Sequence, residues 1–339
     1  MKTTIVGAGA IGGVIGAFLA KAGYEVEFVD VNEEHVKAMK ESGLTIREKD
    51  STFTVPVQAY TVKELAEKGE ALEEVFLCVK ALHTSEAVRD IKDLLTEQSY
   101  IVSFQNGLCE YEIAEEIGLD RTVGCFINLF ADYQEPGLIE YGGVGSLYIG
   151  EVEGGISSRV ERIVNKLSVW GEAKATENIL GYLWGKLSYG AVLTATATTN
   201  ETIADILDDP GYFDLIVNTA NEVLQVAVKK GIVPEGFDDW EPRVILSKEP
   251  DQIRKQLSIL TERLRNYTKT RTGIWRDLAV RKRKTEVPEQ LNPVILEGEK
   301  SGFEMPITTK IVTMIQEIEQ GTRQMQTENL DELKVAFIH

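Results

Sequence analysis

The sequence predicts an α/β protein in which a doubly wound parallel sheet is followed by an all-helical domain. Three observations carry that prediction. Up to about residue 177, apolar runs of strand length alternate with helix-like segments, the pattern of a parallel sheet covered on both faces. The first strand leads directly into Gly7, Gly9 and Gly12, spaced G-x-G-x-x-G, and then into a helix-like run. Beyond residue 178 the segments favour helices, punctuated by Gly, Pro and Asp. A length of 339 residues fits two domains, expected at 1–177 and 178–339.

Each element has a local reason. Residues 3–6 read as a buried strand, and 10–22, rich in Ala, Ile and Leu, read as a helix that stops at Gly23. Further strands are expected near 26–29, 75–79, 100–104 and 123–130, with helices near 33–41, 84–95 and 110–117. Residues 44–60 read as a small hairpin excursion rather than a core strand, and 136–149 as two strands around a Gly-rich turn. A helix over 156–169 and a short strand over 172–176 complete this half. The second half predicts helices over 178–198, 200–208, 211–230, 250–265, 275–283, 288–301 and 306–322. Pro288 suits a first helical turn. The Pro-rich, acidic stretch 233–250 reads as a loop.

The Gly-rich turn carries the first chemistry. Gly7 permits the tight turn, Gly9 lets backbone approach a pyrophosphate, and Gly12 lets helix and strand pack closely. Ala10 and Ile11 open the helix whose N-terminal N–H groups and dipole attract the phosphates. The flanking pattern makes this a Rossmann-type dinucleotide site. Asp30 closes the second strand 18 residues after Gly12. A carboxylate there accepts hydrogen bonds from a ribose diol and repels a 2′-phosphate. Val31, Asn32, Glu33 and Glu34 follow, with no Lys or Arg to receive such a phosphate, so NAD(H) is favoured over NADP(H). Asp30 also suits the N-cap of the helix that begins at Glu33.

Composition narrows the partners. With 54 acidic and 36 basic residues the formal charge is −18, which argues against nucleic acid and against an anionic membrane surface. No run of about 18 uncharged apolar residues predicts a membrane span. The first strand begins too early for a signal peptide. Cys78, Cys109 and Cys125 are scattered and odd in number, as expected of reduced thiols in a cytoplasmic protein. His35, His83 and His339 share no metal-ligand spacing, so no metal is expected.

Three more constellations stand out: Phe76-Leu-Cys-Val-Lys80 and Ser103-Phe-Gln-Asn106-Gly107 at strand ends, and Leu183-Trp-Gly-Lys186-Leu187 in a helical segment. Ligands of open parallel sheets sit beyond the carboxyl ends of the strands, where Lys80 and Asn106 fall. With these in view, the sequence resembles the ketopantoate reductase (2-dehydropantoate 2-reductase) family over nearly its whole length. The resemblance rests on Gly7-Ala-Gly-Ala-Ile-Gly12, Val79-Lys80, Gln105-Asn106-Gly107, Trp184-Gly-Lys186-Leu187, Lys284-Thr285-Glu286, and Glu297–Gly302 followed by Pro306. It implies hydride transfer between a nicotinamide cofactor and a 2-keto or 2-hydroxy acid. It makes Lys186 the general acid/base at the carbonyl oxygen, and Glu286 a second anchor for the substrate's hydroxyl end. Lys80 becomes a cofactor contact near the nicotinamide ribose, and Asn106 a contact to cofactor or substrate. The family is often dimeric, which makes the helical domain a candidate dimerisation surface.

Departures from the family pattern bear on the substrate. Asn is usual four residues after the catalytic lysine and often four later, where this chain has Gly190 and Thr194. A serine is usual about a dozen residues before the glutamate, where this chain reads Thr272-Gly273-Ile274-Trp275. Lost polar partners change discrimination strongly, so Gly190, Thr194, Thr272, Tyr189 and Trp275 mark a reshaped pocket. Arg271 and Arg276 either replace a carboxylate fork or balance the acidic surface. The family usually favours NADPH, a habit that Asp30 breaks. Two alternatives stand beside the main reading: an NAD-linked dehydrogenase that oxidises a different hydroxy acid, and a dinucleotide-binding sensor without turnover.

Overall fold

In the computed structural model, residues 1–266 and 269–336 are described, and His339 lies outside them. The contacts divide the chain into two units, Met1–Ile179 and Leu180–His339.

The first unit is built on one mixed sheet. Its strands are β1 (Thr3–Val6), β2 (Val26–Val29), β3 (Leu44–Arg47), β4 (Thr52–Val55), β5 (Gln58–Tyr60), β6 (Leu72–Leu77), β7 (Leu95–Ser103), β8 (Thr122–Glu135), β9 (Leu138–Glu151) and β10 (Ala173–Ala175). The path β4-β3-β9-β8-β7-β6-β1-β2-β5 runs across the sheet, with β10 alongside β9. Six strands, β5-β2-β1-β6-β7-β8, are parallel throughout. The helices are α1 (Ala10–Lys21), α2 (Glu33–Ser42), α3 (Val62–Lys68), α4 (Thr84–Ile91), α5 (Cys109–Ile117) and α6 (Ser158–Leu167). Successive strand residues point to opposite faces. Ile5, Phe28, Phe76 and Val102 therefore join one core with α1, α2 and α6. Val6, Val29, Leu77 and Ile101 join the other with α3, α4 and α5. Burial on both sides explains the nearly uninterrupted apolar strands.

Two expectations for the strands are corrected. Residues 44–60 do fold back as the antiparallel pair β3–β4, but β3 also pairs in parallel with β9, and Leu44 and Ile46 are fully buried. The excursion is thus part of the main sheet. Residues 138–151 form one long strand rather than two around a turn. The turn lies at Pro136-Gly137, and Gly142-Gly143 sit in a bulge, where Phe130 pairs with Gly143 and Ala131 with Tyr141.

The order of the sheet reverses at β1: β2 and β5 lie on one side of it and β6, β7 and β8 on the other, and between β2 and β5 the chain visits β3 and β4 at the far edge. This switch point is where open α/β sheets bind ligands. The residues after β1 and β6 approach so closely there that a Cβ on Gly7 would lie 2.7 Å from the Val79 nitrogen.

The second unit is helical: α7 (Ile179–Thr196), α8 (Ile203–Asp208), α9 (Phe213–Lys229), α10 (Pro242–Ser247), α11 (Pro250–Arg265), α12 (Gly273–Arg276), α13 (Val287–Lys300), α14 (Pro306–Glu319) and α15 (Glu328–Ala336). The stretch 233–250 is not all loop, because Pro242 opens α10, as the free N–H positions of a first turn allow. The helix expected over 275–283 is the short α12 continued by a π-turn over Asp277–Arg281. Trp184 and Trp240 are both fully buried, and the Trp240 indole N–H donates to Ser188 Oγ at 3.0 Å. Among the described residues, no helix is long and apolar enough to cross a membrane.

Candidate active site

The Gly-rich turn is shaped by close approach. A Cβ on Gly12 would fall 2.1 Å from the Gly7 carbonyl oxygen and 2.8 Å from Ile5 Cγ2, so only glycine lets α1 lie this close to β1. Gly7 has φ +93°, a conformation that favours glycine. Beside Gly9, by contrast, a Cβ would meet nothing within 4 Å. Gly9 is the N-cap of α1, with Ala10 and Ile11 following in the first turn. Open space at a helix N-terminus, framed by backbone that a side chain would obstruct, fits a pyrophosphate.

Asp30 stands at the end of β2, half-buried. Its Oδ2 accepts the Ala8 N–H at 2.7 Å and its Oδ1 accepts the Asn32 N–H at 2.9 Å. The N-cap of α2 is Asn32, which accepts from the His35 N–H at 3.1 Å. Asp30 is therefore not the cap. Its two backbone bonds fix the carboxylate while leaving acceptor capacity on each oxygen. Next to it opens a cavity of about 330 Å³, lined by Gly7, Asp30, Val31, Val62, Val79, His83, Glu86, Ala87 and Asp90, among others. Valines offer apolar walls to a flat ring, and Asp30, Glu86 and Asp90 bring three carboxylates. Among the described lining residues there is no Lys or Arg. His83 Nδ1 lies 3.7 Å from Glu86.

Lys80 and Asn106 follow adjacent strands, since Leu77 of β6 pairs with Ser103 of β7. Lys80 is exposed, and its carbonyl accepts the His83 N–H at 2.8 Å. Asn106 is half-buried. Its neighbour Gln105 donates to the Val79 carbonyl at 3.0 Å and to Thr84 Oγ1 at 2.8 Å, which ties the two strand ends together. Cys78, between these segments, carries a thiol whose ionisation burial pushes well above the ordinary range.

In the second unit, Lys186, Gly190 and Thr194 recur every four residues along one face of α7. Lys186 is half-buried. Beside Gly190 a Cβ would meet nothing within 4 Å, so this position leaves open space. Thr194 is buried and its hydroxyl donates to the Gly190 carbonyl at 2.7 Å. Tyr189 packs on Trp240, with ring centroids 5.0 Å apart. Thr272 caps α12 by accepting the Trp275 N–H at 2.9 Å, and Gly273 faces open space. Arg271 donates to the Asn200 carbonyl at 2.8 Å and lies over the Trp275 ring, whose indole N–H donates to Asn200 Oδ1. Arg271 and Trp275 thus tie the start of α12 to the residues that follow α7. Glu286 is half-buried at the N-cap of α13. The preceding Thr285 donates through N–H and hydroxyl to Glu319 Oε1, each at 2.7 Å.

Two residues near the Gly-rich turn were not among the expected site residues. His35 is buried and bonded at both ring nitrogens, to Ala8 and to Gly137. Tyr133 packs edge-on to it at 5.1 Å, and burial together with Asp30, Glu34 and Glu135 pushes its phenol up. A histidine three residues after a capping Asn, in a helix otherwise rich in charge, was the available signal.

Comparisons with known proteins agree along the chain. Residues 3–154 match the family model described as ketopantoate reductase PanE/ApbA, and residues 178–319 match its C-terminal counterpart. A 2-dehydropantoate 2-reductase of Pyrococcus horikoshii is 28% identical over 278 residues, covering 81% of this chain and 85% of that one. One from Archaeoglobus fulgidus is 24% identical, covering 94% and 98%. Among solved structures, a 2-dehydropantoate 2-reductase from Geobacter metallireducens superposes with TM-score 0.78 at 23% identity, covering 94% of this chain and 99% of that one. A D-mandelate dehydrogenase with NADH and anilino(oxo)acetate gives TM-score 0.78 at 20% identity, covering 95% and 99%. The chain belongs to the ketopantoate reductase family of NAD(P)-dependent oxidoreductases.

Proposed function

We propose that the chain interconverts a 2-keto acid and its 2-hydroxy acid, either 2-dehydropantoate and pantoate or a related branched acid, with NAD(H) preferred. The observation that carries the cofactor preference is Asp30, fixed by two backbone N–H groups beside a cavity whose other charged carboxylates are Glu86 and Asp90. A ribose diol finds acceptors there, and a 2′-phosphate meets like charge. When bound, the nicotinamide supplies or receives the hydride. Lys186 holds the carbonyl oxygen and gives it a proton as negative charge develops, or takes that proton in the oxidative direction. A positioned ammonium stabilises that charge. Glu286 and Asn106 anchor polar groups of the substrate, and Lys80 serves the cofactor. We assign Met1–Ile179 to the dinucleotide and the helical unit to the substrate and to a homodimer interface, in a cytoplasmic enzyme.

A second reading is favoured by Gly190 and Gly273, beside each of which a Cβ would meet nothing within 4 Å, at or near positions where the family usually carries polar side chains. It gives the enzyme a bulkier acid, in the manner of the D-mandelate dehydrogenase that shares the fold. Initial rates with NADH and NADPH against 2-dehydropantoate and a panel of branched and aryl 2-keto acids separate the two. Turnover of 2-dehydropantoate with NADH supports the first reading, and turnover of the aryl acids alone supports the second. Lys186→Ala is expected to lower kcat by about 10²- to 10⁴-fold. NADH binding without turnover of any acid would leave a sensor instead of an enzyme.

A further inference from the structure

The peptide between Ala8 and Gly9 is held by a side chain of α2. His35, on α2, is buried, and both of its ring nitrogens are engaged. The Gly137 N–H donates to Nδ1 at 2.9 Å, so Nδ1 carries no proton. Nε2 lies 2.9 Å from the Ala8 carbonyl oxygen, which only accepts, so Nε2 carries the proton and donates. Two backbone partners of opposite kind thus select one neutral tautomer. The other polar group of Ala8, its N–H, is held by Asp30.

We propose that His35 is a positioning residue for the dinucleotide: it aims the Gly9 N–H at the pyrophosphate by fixing the Ala8 carbonyl. The Ala8–Gly9 peptide is trans and planar, so its C=O and N–H point in opposite directions. Bonding the carbonyl to His35 directs the Gly9 N–H to the opposite side of that peptide. Beside Gly9, at the N-cap of α1, a Cβ would meet nothing within 4 Å. The second bond, to Gly137, anchors the imidazole to the turn between β8 and β9. The loop then inherits the rigidity of the sheet rather than relying on its own flexible glycines. Preorganised donors gain affinity because they need no ordering at the moment of binding.

The inference rests on the dinucleotide reading of the loop, and its test separates the two. His35→Gln places an amide N–H near the position of Nε2 and loses the bond to Gly137. His35→Asn places an amide oxygen near Nδ1 and loses the bond to Ala8. Both are measured for KM and Kd of NADH, for kcat and for thermal midpoint. His35→Asn is expected to raise KM and Kd about fivefold to tenfold with kcat within about twofold, the effect of one lost hydrogen bond. His35→Gln is expected to keep both within about twofold while melting earlier than wild type. If affinity instead follows the melting temperature across both variants, or neither variant changes it, His35 is only a packing residue and the proposal fails. Wild-type protein that binds neither NADH nor NADPH would overturn the dinucleotide reading and this inference with it.

Discussion

Asp30 has two tasks at once, and the structure separates them. Its carboxylate orders the Gly-rich turn through Ala8 and the entry to α2 through Asn32, and it faces the cavity beside β2. Any substitution at this position disturbs the loop, so absolute affinity is a poor test of the role proposed for it in cofactor choice. The ratio of NADPH to NADH kcat/KM cancels the shared loop effect. Asp30→Asn is expected to raise that ratio about tenfold or more, because hydrogen bonds to a charged acceptor contribute about 1.5–3 kcal/mol. An unchanged ratio would count against Asp30 as the origin of the proposed preference and point to Glu86 and Asp90 instead. The tight turn at Gly7, the close packing at Gly12 and the place of Asp30 at the end of β2 were legible in the sequence because they follow from spacing alone. His35 was not, since its bond to Gly137 joins residues 102 positions apart.

The elements were legible where a long periodic run decided them, as in α1 and α9. Helix α3 was not among the expected elements, although Thr61 and Glu64 form a capping box that starts it. β3 could not be read as a core strand, because its parallel partner β9 lies about 90 residues later and is reached only through the long hairpin. Helix α14 shows a support that no local pattern announces. Glu222 of α9, only 4% exposed, accepts the N–H groups of Ile307 and Thr308 and the hydroxyl of Thr308. It caps the first turn of α14 from another helix. Burial raises its carboxyl above the ordinary glutamate value of 4.5 despite these three bonds. The sign follows: a raised pKa means the folded state binds the proton more tightly than the unfolded one. The contribution of Glu222 to stability is therefore fullest below the unfolded pKa and declines as pH rises through the folded one. Glu222→Ala, which strands two buried N–H groups, is expected to cost about 2–4 kcal/mol. In urea titrations the gap to wild type should be wider at about pH 5 than at about pH 7.5. A gap that narrows at the lower pH would show the hydrogen bonds outweighing burial.

At the scale of the whole molecule, the change in rhythm near residue 178 marked the passage from alternating elements to helices, because connections in parallel sheets impose that rhythm. Charge is the other global property, and here the average misleads locally. The chain carries −18, yet Arg281, Lys282, Arg283 and Lys284 stand exposed in the four positions ahead of Thr285 and Glu286. Arg281 and Arg283 pair with Asp277 at 3.2 and 2.9 Å, while the run as a whole keeps an excess of positive charge. At about 0.1 M salt the Debye length is about 10 Å, so an anionic acid approaching Glu286, its proposed anchor, responds to this run more than to carboxylates spread over the rest of the surface. With cofactor saturating, raising salt from about 0.1 to about 0.5 M is expected to lower kcat/KM for the keto acid about two- to fivefold, with kcat unchanged. Lys282→Ala with Lys284→Ala should abolish that fall or turn it into a rise, because the remaining field is that of the acidic chain. If wild-type kcat/KM climbs with salt, the net charge governs the approach and the basic run has no part in steering the substrate.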